Sequence, residues 1–342
     1  MNECENKNFA LIDYIKLLMA FVVLTYHCRP WDDFQAEGAG KLISVLTALA
    51  VAFFFIASGF FLFLKIEIPL TKAGEKRLKK FIIRTVRLYL FWSLIYLPFA
   101  VYGEFAVYGE SIPKAIVKIL RGILLLGRNY LYWQLWYLPA LAVAAGILLL
   151  ALRVGLSEKK ILLLATLFFL TGRWLDVVQE SGMPAGIVVR LYFFIFDSTS
   201  NGVFAGFFYV CLGMCMAKYR FVKKRRVGQK IGATVALGVA AFFLYQYYLI
   251  ASLFIAGAAA VLFETIVGIE VKTSRMSYLA RRASRNIYLI HMFFYGIYLI
   301  FFRTGEGKNL LAYLFTLTGT MIYVGVMEAV RRISRRREMR TI

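Results

Sequence analysis

The feature that most constrains this chain is the recurrence of long apolar runs almost free of charge, such as SVLTALAVAFFFIASGFFLFL at 44–64. A segment of about 18 or more apolar residues is long enough to cross a lipid bilayer as a helix, and a soluble helix of that length would carry a polar face. Such runs predict ten spans, at 11–28, 43–64, 81–102, 133–153, 160–175, 202–218, 230–247, 249–268, 285–303 and 309–330. The run at 160–175 is short for a crossing, and the block 230–268 is too long for one and is divided in two. The expected fold is an all-α polytopic membrane protein, a single transmembrane domain over residues 1–342 with both ends on the cytoplasmic side. The first span follows an acidic segment and lacks a small-residue cleavage site, so it reads as retained. Glycines inside the spans fit close helix packing in lipid.

Composition agrees: 61% of residues are hydrophobic and 18% charged, with a mean hydropathy of +0.70. The net charge of +22 raises the question of a nucleic-acid partner, which the distribution of charge answers. Segments 65–80, 153–160, 218–230, 269–285 and 331–342 hold 27 of the 41 Lys and Arg residues, whereas the loops 28–42, 103–132, 175–201 and 303–309 balance basic with acidic residues. Basic residues that flank alternate ends of spans follow the positive-inside rule and face anionic lipid headgroups; no nucleic acid is expected. The placement in a cell's plasma membrane follows from the same reading.

Four cysteines form no framework. Cys4 precedes the first span, Cys28 ends it, and Cys211 and Cys215 lie one turn apart on one span with no histidine or carboxylate in that turn, so no metal site is expected.

Only two histidines occur, and His27 closes the first apolar run in VVLTYHCRPWDD. Lys16 lies eleven residues earlier, which at 100° per residue returns to the same helix face, roughly 16 Å further along the axis. Asp13 precedes Lys16 by three and is expected to pair with it on that stripe. A polar stripe on a membrane helix faces protein or water, so these residues are candidates for a site.

The stretch IDYIKLLMAFVVLTYH resembles the opening helix of the acyltransferase-3 family of membrane acyltransferases, in which a basic residue precedes a histidine with this spacing. Further motifs are similar to the same family: FFFIASGFFLF with Ser58 and Gly59, RTVRLYLFW with Arg84 and Arg87, LWYLPA around Trp136, and NIYLIHMFF with His291. The resemblance covers about residues 10–330. Two positions depart from the pattern: Lys16 stands where the family favours Arg, and Gln134 where many members carry histidine. These positions, with HCRPW and WYLPA, also resemble the membrane domain of serine racemases of vancomycin resistance, which implies serine uptake as the alternative activity.

The resemblance implies transfer of an acyl group, with acetyl the expected one, from acyl-coenzyme A as donor substrate to a hydroxyl of a carbohydrate or cell-envelope acceptor, with no permanently bound cofactor. His27 is expected as the general base, and Lys16, Arg84 and Arg87 as the groups that hold the donor's phosphates. Asp13, Ser58, Gly59, Gln134, Trp136 and His291 are expected to line or support the path. Counting along the spans places Ser58 near the depth of Lys16, too far from His27 to be its nucleophile, and places His291 in the second turn of its span, on the inner side. Glu264 and Glu328 are expected to pair with nearby basic residues.

Overall fold

The computed structural model of the protein describes residues 9–182, 186–219, 227–302 and 308–338, with 335–338 described by backbone alone. Cys4, most of the basic segment 218–230, most of the loop 303–309 and the end of 331–342 lie outside the described residues.

Among the described residues there are twelve α-helices and no strand: α1 Ala10–Cys28, α2 Glu37–Phe63, α3 Lys72–Tyr102, α4 Ile112–Arg121, α5 Tyr137–Arg153, α6 Glu158–Glu180, α7 Ile187–Phe196, α8 Phe207–Tyr219, α9 Val227–Phe243, α10 Tyr248–Gly268, α11 Arg275–Phe302 and α12 Leu310–Glu338. Nine helical segments are long and apolar enough to cross a membrane. The break at 244–247 divides the block 230–268 into α9 and α10.

Helix α9, with 17 residues, falls just short of the length used for those nine. The direction of its neighbours decides its role. Asp13 meets Arg281 and His27 meets His291, so α1 and α11 run parallel. Parallel spans require an odd number of crossings between them. With α2, α3, α5, α6, α8 and α10 crossing, α9 must cross as well. It runs antiparallel to α10, joined by the Lys230–Glu264 ion pair at 2.7 Å. The nine long helices overlap nine of the ten apolar runs, and α9 overlaps the tenth. The amphipathic α4 and the apolar α7, ten residues each, are too short to span.

Several helices begin well before their apolar runs. Helix α3 starts at Lys72 instead of 81, and α11 at Arg275 instead of 285. Charge marks where a helix leaves the hydrocarbon, not where its backbone hydrogen bonds end; the α-helical ladder continues through KAGEKRLKK and RMSYLARRASR. On α11 this brings Arg281 and Arg282 into the helix, where Arg282 pairs with Glu328 of α12.

The apolar interior has two parts. One joins α2, α5, α6, α8 and α10 around Phe53, Phe169 and Phe263; the other joins α1, α3, α11 and α12 around Tyr96, Tyr295 and Tyr298. The first is closed by a seam between α2 and α8. A Cβ on Gly59 would overlap the backbone carbonyl of Val210, and one on Gly213 that of Ile56. Glycine at both positions lets the two backbones touch, which is how van der Waals packing joins helices in lipid.

Candidate functional site

Helix α1 carries the stripe foreseen from spacing. Lys16 and His27 both line a deep cavity of about 950 Å³. At the Lys16 end the wall is made by Ser58, Tyr137, Arg281, Ser284, Arg285 and Tyr288; at the His27 end it includes Ser44, Thr47, Gln134 and Trp136. A second cavity of about 540 Å³ lies against the first and is lined by Arg29, Trp31, Trp133 and Lys308. His27, Tyr26, Ser44, Arg128 and Trp136 line both. His27 therefore stands where the two spaces meet.

The geometry around His27 comes from three chain segments. The short 3-10 turn Trp133–Trp136 ahead of α5 lays Trp133 against the imidazole, ring centroids 6.3 Å apart at 28°. Tyr26 approaches edge-on at 5.5 Å. From α11, His291 places its ring 5.4 Å from that of His27. This corrects the expected inner position of His291: because α11 begins at Arg275, His291 lies sixteen residues into the helix, about 24 Å from its start, and level with His27.

His291 is fully buried. Its Nδ1 lies 2.8 Å from the carbonyl oxygen of Ile287. A carbonyl only accepts, so the proton sits on Nδ1 and Nε2 carries a lone pair. Among the described residues that Nε2 has no hydrogen-bond partner. The two histidines of the chain thus form one pair, one ring fixed in its tautomer beside the other.

Asp13 is not paired with Lys16 as the spacing suggests. Its carboxylate accepts three hydrogen bonds from Arg281, at 2.9, 3.1 and 2.8 Å. Planar guanidinium matches a carboxylate better than a single ammonium does. Lys16 instead sits over the Phe61 ring, its Nζ 5.0 Å from the centroid. Ser58 donates to the Tyr137 hydroxyl at 2.9 Å, which in turn donates to the Phe54 carbonyl at 3.0 Å. Its neighbour Gly59 belongs to the α2–α8 seam. Glu264 and Glu328 are paired, with Lys230 and Arg282.

Arg84 and Arg87 are exposed on α3, and neither lines either cavity. The cationic groups at the Lys16 end of the deep cavity are Lys16, Arg281 and Arg285. Arg281 and Arg285 sit in the basic opening of α11 and read from sequence as membrane anchors; their inward placement depends on helix packing.

Sequence reading also passes over a buried polar cluster. Arg173 on α6 donates from Nη1 to the Tyr248 hydroxyl and from Nη2 to Thr199 Oγ1, both at 2.6 Å, and pairs with Asp176 at 3.1 Å. Thr199 in turn donates to Asp176 at 2.5 Å. The available signal was an arginine inside the run 160–175 with a carboxylate one turn on, since ionisable residues in spans mark sites by default.

Fold and site together define a multi-pass helical membrane protein with an internal cavity lined by ionisable groups. The chain belongs to the acyltransferase-3 family, whose acyltransferase-domain model matches residues 9–327. Among characterised proteins it is similar to a serine/alanine racemase of Enterococcus gallinarum, 30% identical over 212 residues, covering 60% of this chain and 29% of that protein. It is also similar to an amino-acid racemase of Enterococcus faecalis, 27% identical over 212 residues, covering 61% of this chain and 28% of the relative. The match therefore spans under a third of these relatives' length. No solved structure matches.

Proposed function

We propose that the protein is a plasma-membrane acyltransferase that moves an acyl group, acetyl being the simplest, from acyl-coenzyme A on the cytoplasmic side to a hydroxyl of an extracytoplasmic carbohydrate or other envelope acceptor. One observation carries this reading: His27 borders both a deep cavity that continues to Lys16 and Arg285 and a separate space lined by Trp31 and Trp133. A transferase that joins two substrates from opposite sides needs its base at such a junction.

In this mechanism Lys16 and Arg285 hold the donor's phosphates, and its thioester reaches along the deep cavity to His27. The ring nitrogen of His27 takes the proton of the acceptor hydroxyl as the oxygen bonds to the thioester carbonyl carbon. The tetrahedral adduct collapses with cleavage of the C–S bond, and coenzyme A leaves as a thiol with the proton returned by His27. The lone pair on His291 Nε2 stabilises the transient imidazolium beside it. The Lys16 end is assigned to the cytoplasm from the distribution of Lys and Arg. A Lys224→Cys variant with native cysteines replaced should resist an impermeant thiol reagent on intact cells; strong labelling would reverse the orientation.

A second reading rests on the racemase relatives, whose names concern serine, alanine and amino acids. Under it the cavity is a path for serine or a similar small solute, and His27 belongs to a gate. Thermal unfolding of the purified protein separates the two, because a ligand that binds only the folded state raises apparent stability. Coenzyme A or acetyl-coenzyme A should raise the midpoint, and L-serine should not. A shift with L-serine and none with coenzyme A, together with serine uptake into proteoliposomes, would replace the acyl-transfer reading.

A further inference from the structure

Three side chains around the deep cavity hold buried polar atoms without a partner in the protein. Gln134, 3% exposed, leaves both Oε1 and Nε2 unpaired; Arg173, 6% exposed, leaves Nε; Thr47 leaves Oγ1. All three residues line the cavity. They come from three separate elements, the 3-10 turn before α5, helix α6 and helix α2.

Unpaired buried hydroxyls also occur at Ser93, Thr316 and Thr320, none of which lines either cavity, whereas the three groups here face one space. Hydroxyls on these helices ordinarily bond back to the carbonyl one turn earlier: Thr25, Ser44, Thr85, Thr166, Thr234 and Thr265 all do so. Thr47 does not. The Tyr96 hydroxyl lies beside Gln134; its one proton goes to the Leu289 carbonyl at 2.8 Å, so its oxygen can accept from the Gln134 amide Nε2–H but cannot satisfy Oε1. The guanidinium of Arg173 is held at both terminal nitrogens by Tyr248, Thr199 and Asp176, which orients the fork and leaves Nε unused. Buried polar atoms left unpaired destabilise a fold, so a cavity that keeps several is shaped for something that pairs with them.

The charges narrow what that is. Gln134 and Thr47 are neutral, and the charge of Arg173 is matched by Asp176, so these three groups present no unmatched charge, while Arg128 and Glu180 also line the cavity. The three offer one amide that both donates and accepts, one hydroxyl and one N–H donor. The uncompensated cation Lys16 lies at the other end, roughly 16 Å away along α1.

We infer that Gln134, Thr47 and Arg173 bind the uncharged, amide- and hydroxyl-bearing arm of the acyl donor, a pantetheine-type chain, while Lys16 and Arg285 take its phosphates. The inference rests on the acyl-transfer reading and adds to it the residues that align the thioester with His27. Serine is a zwitterion, and burying its ammonium and carboxylate against these three groups, which offer hydrogen bonds but no unmatched charge, would be unfavourable.

The test uses the purified full chain in lipid nanodiscs and pantetheine, which carries the arm without the phosphates. Pantetheine should raise the unfolding midpoint of the wild type. Gln134→Leu removes two unpaired atoms at similar volume, so its unliganded midpoint should rise by roughly 1–3 °C. The pantetheine shift should meanwhile fall by at least about half, as expected when a ligand's partner is lost. Thr47→Val should act in the same direction, and Arg285→Ala should weaken binding of coenzyme A while leaving the pantetheine shift in place.

A lower unliganded midpoint for Gln134→Leu would make the amide structural and overturn the inference. So would a coenzyme A shift with none from pantetheine, or a pantetheine shift unchanged in the variant. A shift from L-serine that depends on Gln134 would also overturn it. Absence of any shift with coenzyme A sinks the acyl-transfer reading itself, whereas a coenzyme A shift equal in wild type and Gln134→Leu sinks only the assignment of the arm.

Discussion

The bundle contains two parallel helix pairs that meet in opposite ways. Helices α2 and α8 meet through Gly59 and Gly213, backbone against backbone. Helices α1 and α11 meet through polar groups, the Asp13–Arg281 ion pair at one end and the His27–His291 pair at the other. In lipid, where apolar surface gains little from leaving the solvent, the first arrangement supplies stability through close packing. The second keeps polar groups buried: among the described residues Nε2 of His291 has no partner, and His27 lines the cavity. Under the acyl-transfer reading, stability and reactivity fall to different interfaces of one fold, so substitutions at the two should fail in different ways.

The largest effect is expected in the glycine seam. Gly213→Leu, whose Cβ alone would overlap the Ile56 carbonyl, should abolish recovery of folded, monodisperse protein, because backbone faces it and cannot move aside. Recovery at the wild-type level would show that the seam does not hold the bundle together.

At the other interface, His27→Ala should reduce acyl transfer by roughly 10²–10⁴-fold, the usual contribution of a general base, while the unfolding midpoint changes by no more than about 1 °C. Activity and stability lost in parallel would erase the distinction between the interfaces. His291→Phe keeps a buried ring, and should lower the rate less than His27→Ala while altering its pH profile.

Cationic groups give an intermediate effect. Arg285→Ala should raise the apparent KM for the acyl donor several-fold with kcat little changed, as for a group that binds ground and transition states alike. Arg84→Ala and Arg87→Ala together should raise it less, since both side chains point away from the cavity. The reverse order would return the phosphate site to α3.

Breaking the ion pair should cost less than breaking the seam. Asp13→Asn should lower the unfolding midpoint by about 2–4 °C. The side chain of Arg281 is 51% exposed and can be solvated when its partner is removed, which limits the loss.

The smallest effect is expected on α9, where Gly238 has no heavy atom near the position of an added Cβ. Gly238→Ala should leave the midpoint unchanged or raise it slightly through helix propensity. A marked loss would place α9 in a contact that the bundle lacks.

Much of this architecture was legible from the sequence alone. The ten expected crossings follow from the length of the apolar runs, because a bilayer imposes the same length requirement on every span regardless of its neighbours. The shared face of Lys16 and His27 follows from helical periodicity, and membership of the family from motifs spread over most of the chain. These are properties of short segments, each readable within a few turns of helix.

Contacts between segments were decided only by the tertiary structure. The carboxylate of Asp13 could have reached Lys16 one turn away, but it pairs with Arg281, 268 positions along the chain. His291 reaches His27 because α11 starts ten residues before its apolar run, and Arg84 and Arg87 miss the cavity because of how α3 is turned in the bundle. A sequence states the rotation of residues within a helix. The rotation and depth of one helix against another come from packing summed over the whole interface, and that sum chooses which polar groups meet.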